Sequence, residues 1–140
     1  GRVDIVSLHT PLTALTERMV DDAALAAARP GLVLVNTSRG RVCDLDAVMR
    51  ALRDGRLMAA GLDVLPDEPL DYEHPLIAAW AADEPWLDGR MIVTPHAAFF
   101  SEAGVREMRA MAVRNVTDYL RDGTLRSCVN RHLLGHRPAP

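Results

Sequence analysis

The sequence predicts an α/β fold built around a parallel sheet, and three features carry that expectation. Short apolar runs alternate along the chain with segments of helical periodicity, the pattern of strands joined by helical crossovers. The run Leu32–Asn36, LVLVN, is nearly all apolar, as expected of a strand covered on both faces. Each predicted strand then ends in polar or geometrically special residues, at the place where open α/β sheets bind their ligands.

The elements follow in order. Val3 to Leu8 reads as the first strand, ended by His9-Thr10-Pro11. Asp21 or Asp22 can cap a short helix through Arg29, and Pro30-Gly31 forces the turn into the Leu32–Asn36 strand. Asp44 can cap a helix in which Leu45, Val48, Met49 and Leu52 recur at helical spacing and which Asp54-Gly55 closes. Met58 to Val64 is the third strand. The proline-rich stretch from Pro66 to Gly89 should be mostly loop, with a short helical piece around Leu76 to Ala82. Met91 to Thr94 is a fourth, short strand. Ser101 caps the longest helix, running to about Arg121 with an apolar stripe of Val105, Met108, Ala112, Val116, Tyr119 and Leu120. From Thr124 the chain begins strand-like and ends in a frayed, proline-rich tail.

Composition narrows the function classes. A net charge of −3 with scattered basic residues gives no electrostatic reason to expect nucleic acid or anionic membrane as a partner. No apolar run is long enough to span a bilayer. Cys43 and Cys128 fit no metal-ligand spacing, so no metal is expected, and two unpaired thiols point to a reducing, cytoplasmic setting. His74, His132 and His136 fall in loop or tail and read as surface residues.

If the strands are adjacent and parallel, their endings converge on one rim. That rim carries His9-Thr10-Pro11, Asn36-Thr37-Ser38-Arg39-Gly40, Asp63 through Glu68, and Thr94-Pro95-His96. Arg39 offers a planar, permanently charged fork suited to a carboxylate. His96 with Glu68 nearby can be oriented for proton transfer. An arginine to hold a carboxylate and a His–Glu pair to exchange a hydroxyl proton are the equipment for oxidising a 2-hydroxy acid, with the hydride going to a cofactor because no side chain accepts one. Each residue alone also fits a structural role: Arg39 as a surface ion pair, His96 and Glu68 as loop groups, Asp63 as a hydrogen-bonded buried carboxylate.

The segments HTPLTALTERMV, LVNTSRGRVCDLDAVMRAL, GLDVLPDEP and IVTPHAAFFSEAGVREM together resemble the D-isomer-specific 2-hydroxyacid dehydrogenases over roughly residues 1 to 130. The ending PHAAFFSEAGVREMR and the later SCVN are most similar to the branch of the C-terminal-binding-protein corepressors and phosphoglycerate dehydrogenases. The resemblance implies the C-terminal part of a doubly wound, Rossmann-type sheet over residues 1–122, followed by a return segment and tail over 123–140. It implies an NAD(P)-dependent oxidoreductase that moves a hydride between the nicotinamide and C2 of a 2-hydroxy or 2-keto acid, dimerising through the cofactor domain. By resemblance, His96 is the general acid/base, Glu68 its hydrogen-bonded partner, and Arg39 the residue that holds the substrate carboxylate and carbonyl. Asp63 then faces the nicotinamide carboxamide. Thr10, Pro11, Leu12, Thr13, Ala14, Leu15 and Thr16, together with Thr37 and Ser38, line the nicotinamide and ribose, and Ala97, Ala98 and Phe99 form the wall beside the ring.

One departure is plain: none of the nine glycines falls on the G-x-G-x-x-G spacing that cradles a dinucleotide pyrophosphate. The expectation is therefore a fragment lacking the glycine-rich first half, which by itself binds NAD weakly or not at all and does not turn over. The acidic position that would separate NAD from NADP is missing with it. The alternative reading is an NAD-responsive, corepressor-like binding module with the dehydrogenase fold. The segment Leu70 to Gly89, with Trp80 and Trp86, fits either a specificity element or an interface.

Overall fold

A computed structural model describes residues 2–134. The strands are β1 (Ile5–Leu8), β2 (Leu32–Asn36), β3 (Leu57–Leu62) and β4 (Met91–Val93), joined by α1 (Asp22–Ala27), α2 (Leu45–Arg53) and α3 (Pro75–Ala81), with α4 (Glu102–Asp122) last. The strands form one parallel sheet in the order β1-β2-β3-β4. Two compact units result, one ending at Ala98 and the other beginning at Phe99.

Local chemistry explains the elements of the first unit. The Asp21 side chain accepts the Ala24 N–H at the start of α1, and Asp44 accepts those of Asp46 and Ala47 at the start of α2, satisfying donors that the first turn leaves without partners. Leu45, Ala47, Val48, Ala51 and Leu52 lie on the buried side of α2. Each fully buried Val or Leu of such a face contributes about 1.5–3 kcal/mol. His74 is more than a surface group: it caps α3, where its Nδ1 accepts the Leu76 N–H, and its Nε2 lies 3.3 Å from Asp46.

Register sorts the sheet into rows. Val6, Leu34, Ala60 and Met91 are aligned across the strands, as are Leu8, Asn36, Leu62 and Val93; both rows join the core cluster shared with α1, α2 and α3 or, for Asn36, are buried with it. The row between them, Ser7, Val35, Gly61 and Ile92, faces the other side, and Ile92 and Ser7 are exposed. The expectation that Leu32–Asn36 is covered on both faces is thus corrected. Among the described residues Val33 and Val35 are only half-buried, and the strand's burial alternates.

Arg90 ties the opposite end of the sheet together. Its guanidinium donates to the carbonyls of Leu52, Leu57, Met58 and Trp86, so a permanent cation satisfies carbonyls where α2 and β3 meet the turn Pro85–Leu87.

In the second unit, Ser101 caps α4 by accepting the Gly104 N–H, and Gly123 ends it in the left-handed conformation at φ 73°. The buried carboxylate of Asp118 pairs with Arg121 at 3.1 Å and Arg126 at 2.5 Å. Along the expected apolar stripe Met108, Val116 and Leu120 are exposed. No strand follows Thr124 among the described residues. The Asp122 side chain accepts the Thr124 N–H there. His132 lies in a short turn, and His136 lies outside the described residues.

Candidate active site

The ladder runs past the last row, and the residues that follow form the rim. The Asp63 N–H donates to the Asn36 carbonyl and the Thr94 N–H to that of Leu62, both at about the usual distance (3.0 and 3.1 Å). By the same alternation His9, Thr37, Asp63 and Thr94 stand side by side where β1 to β4 end.

Asp63 organises the fourth loop. It is buried, and its Oδ1 accepts the Thr94 hydroxyl at 2.5 Å and the Ala97 N–H at 2.8 Å, while Oδ2 accepts the Ala98 N–H at 2.9 Å. Burial pushes this carboxyl up. The Thr94 hydroxyl, the two backbone N–H groups and the nearby His96 outweigh that effect and hold it below the ordinary aspartate value. The Asp63 backbone carbonyl also accepts the His96 N–H at 2.9 Å. His96 therefore sits at φ 52°, a left-handed conformation that a non-glycine residue keeps only where its surroundings fix it.

From that position the ring Nδ1–H donates to Glu68 Oε2 at 2.7 Å, with both side chains 43% exposed. The pair is therefore reachable from solvent. Glu68 is positioned from its own loop, its Oε1 accepting the Leu65 N–H at 3.3 Å. That loop packs against the second one without a gap: a Cβ on Gly40 would fall 1.9 Å from the Leu65 carbonyl carbon, so only glycine lets the two backbones approach.

Asn36, read from sequence only as a strand terminus, organises the second loop. It is fully buried; its Oδ1 accepts from the Ser38 N–H and hydroxyl, and its Nδ2 donates to the Arg39 carbonyl at 3.0 Å. A polar residue on the buried face of an apolar strand was the available signal, since a buried amide needs partners. Arg39 is exposed, and its Nη1 donates to the Ser38 carbonyl at 2.7 Å. Thr10, Pro11, Leu12, Thr37, Ser38 and Arg39 share a hollow of about 560 Å³ with His9. Thr13, Ala14, Leu15 and Thr16 form the turn beyond it, closed by the Thr16 hydroxyl on the Pro11 carbonyl at 2.6 Å; Leu15 is exposed. Phe99 belongs to the second unit.

A second hollow of about 380 Å³ lies on the open face at the ends of β2 to β4, with Val35, Gly61, Ala97 and Ala98 as apolar walls and Thr37, Asp63 and Thr94 as polar ones. Nothing lies within van der Waals reach of a Cβ on Gly61 except the tip of Val35, at 4.0 Å. A flat ring fits this apolar floor with polar groups at its edge, as a nicotinamide requires. The pyrophosphate of a dinucleotide has no glycine loop among these residues. Cys43 is not a nucleophile candidate, because burial pushes its thiol up to about 12 despite a hydrogen bond from Asn36. Both cysteines are free, and among the described residues no group of three potential ligands could hold a metal ion. No helix among them is long and apolar enough to cross a membrane.

Comparison with known proteins identifies the family and agrees with the fold. Residues 1–98 match the family model "D-isomer specific 2-hydroxyacid dehydrogenase, NAD binding domain". A glyoxylate reductase of Aeropyrum pernix is 34% identical over 131 residues, 94% of this chain and 36% of that protein. The chain thus spans about a third of that relative's length. The NAD-complexed structure of a D-isomer specific 2-hydroxyacid dehydrogenase from Lactobacillus delbrueckii ssp. bulgaricus superposes with a TM-score of 0.75 at 35% identity, covering 91% of this chain and 40% of that one. A D-isomer specific 2-hydroxyacid dehydrogenase from Xanthobacter autotrophicus Py2, in complex with NADPH and MES, gives a TM-score of 0.69 at 32% identity, covering 87% and 46%.

Proposed function

The chain belongs to the D-isomer-specific 2-hydroxyacid dehydrogenase family, as part of its NAD-binding domain, and on that premise we propose that it carries the proton-exchanging half of an active site for 2-hydroxy and 2-keto acids. The observation that supports this reading is the His96 Nδ1–Glu68 bond at 2.7 Å, on a histidine held at φ 52°. A bound nicotinamide supplies or accepts the hydride at substrate C2.

The chain's own residues do the rest. Glu68 accepts the Nδ1 proton and so fixes the imidazole in one orientation, which assigns Nε2 to proton exchange with the substrate oxygen. Arg39 holds the substrate carboxylate and polarises the carbonyl. Its fork keeps further N–H groups for this beyond the one on Ser38. Asp63, through one remaining oxygen lone pair, Thr37, Ser38, Ala97, Ala98 and the loop from Thr10 to Thr16 line the cofactor, and Phe99 belongs to that wall by resemblance. Residues 1–122 are assigned to the cofactor domain and 123–140 to the return segment. The two free thiols support a cytoplasmic location, and the exposed Met108, Met111, Val113, Val116 and Leu120 of α4 support a homodimer.

The test is oxidation of NADH and NADPH by the natural full-length polypeptide with a panel of 2-keto acids, which also separates the two coenzymes. Turnover with at least one acid supports the reading. Tight NADH binding without turnover favours the corepressor-like module instead. A polypeptide limited to these 140 residues should show no micromolar NAD binding by calorimetry, since no glycine loop is among them.

A further inference from the structure

Next to the His96–Glu68 pair lies a cleft of about 410 Å³ that the roles above leave unused. Its size falls in the small-molecule range of about 300–1,000 Å³. Leu70, Tyr72, Trp80 and Val93 form its walls, and Glu68 and His96 stand among its few polar groups. Asp63 and Thr94 line this cleft and also the hollow on the open face. The two spaces therefore adjoin at these two residues. His96 itself lines the cleft, so a molecule reacting there meets its apolar walls. Water placed there would find few hydrogen-bonding partners, so an apolar group that displaces it gains affinity. Glyoxylate, whose reacting carbon bears only hydrogen, would leave this space unfilled.

We infer that the cleft walled by Leu70, Tyr72, Trp80 and Val93 receives the side chain of the substrate, which is a 2-keto or 2-hydroxy acid with a bulky apolar substituent, branched aliphatic or aromatic. This rests on the dehydrogenase reading and goes further by naming the substrate class. It also gives part of the Leu70–Gly89 segment a role in specificity.

The experiment compares kcat/KM of the full-length protein for glyoxylate, pyruvate, 4-methyl-2-oxopentanoate and phenylpyruvate, with either reduced coenzyme, in the natural protein and in Leu70→Phe and Leu70→Ala variants. One methylene in an apolar pocket changes kcat/KM by about 10–200-fold. The best bulky acid should therefore exceed glyoxylate by about tenfold or more. Leu70→Phe should lower the bulky-to-glyoxylate ratio by about tenfold, and Leu70→Ala should shift preference toward the larger of the bulky acids. The ratio is insensitive to the fraction of protein that folds. Equal or better use of glyoxylate, or a ratio that neither variant moves, overturns the inference and leaves the dehydrogenase reading standing. Failure to oxidise either coenzyme with any acid overturns both.

Discussion

The loop after β2 and the loop after β3 and β4 are built around one buried polar side chain each, and the two side chains hold them by different means. Asn36 is neutral and works both ways, accepting from Ser38 and donating to the Arg39 carbonyl. Asp63 only accepts, and it takes three donors from residues 94–98. The first loop presents Arg39 with the side chain exposed and resting on its own backbone. The second fixes His96 in a backbone conformation the residue would not adopt alone. Holding Arg39 needs little more than a local turn. Fixing the backbone around His96 takes a carboxylate clamp reaching more than thirty residues along the chain.

The largest effect should come where the loops touch. Gly40→Ala puts a Cβ inside the Leu65–Pro66 backbone, and overpacking against main chain should cost about 3 kcal/mol or more, measured by denaturant unfolding. If stability is unchanged, the two loops do not depend on this approach.

Asp63→Asn comes next. Its amide would turn an NH2 group toward the N–H of either Ala97 or Ala98, which bond to different carboxylate oxygens, and leaving that donor without an acceptor should cost up to about 3 kcal/mol. The pH dependence has a definite sign. Because the folded carboxyl lies below its ordinary value of 3.8, its stabilisation is complete above about that pH and is lost as pH falls through the lower folded value. The substitution should remove that acid-side slope relative to the natural protein. Asn36→Asp should behave in the opposite sense. A buried carboxyl facing the Arg39 carbonyl has its folded pKa raised, so the variant should lose stability, by about 2 kcal/mol, as pH rises through that value. Matching slopes in the two variants would erase the distinction between the loops. The smallest effect serves as a control: Arg90→Lys cannot reproduce a planar fork on four carbonyls and should cost about 1 kcal/mol with no pH slope.

Much of the fold follows from local signals. Asp21, Asp44 and Ser101 each cap the helix expected of them, and Leu32–Asn36 is a strand to the residue, because caps and apolar runs act within a few positions. The third strand begins at Leu57 and ends at Leu62, since Asp63 and Val64 already belong to the turn that carries the site. The meeting of His96 with Glu68 could be proposed from motif and rim position. The clamp on residues 94–98 and the Gly40–Leu65 approach depend on register between strands, which no local pattern encodes, whereas the buried amide of Asn36 bonds only to the nearby Ser38, Arg39 and Cys43 and is open to a local reading. The exposed stripe of α4 shows the same limit from the other side: helical spacing announces an apolar face without naming what covers it.

The proposed proton-exchange role of His96 is tested by kcat/KM of the full-length His96→Ala variant for its best 2-keto acid, with coenzyme affinity determined in parallel. Loss of a positioned general acid/base predicts a fall of about 10²–10⁴-fold with coenzyme binding retained. A variant that keeps the natural rate would contradict the assignment of His96 and, with it, the purpose of the Asp63 clamp and the Glu68 bond.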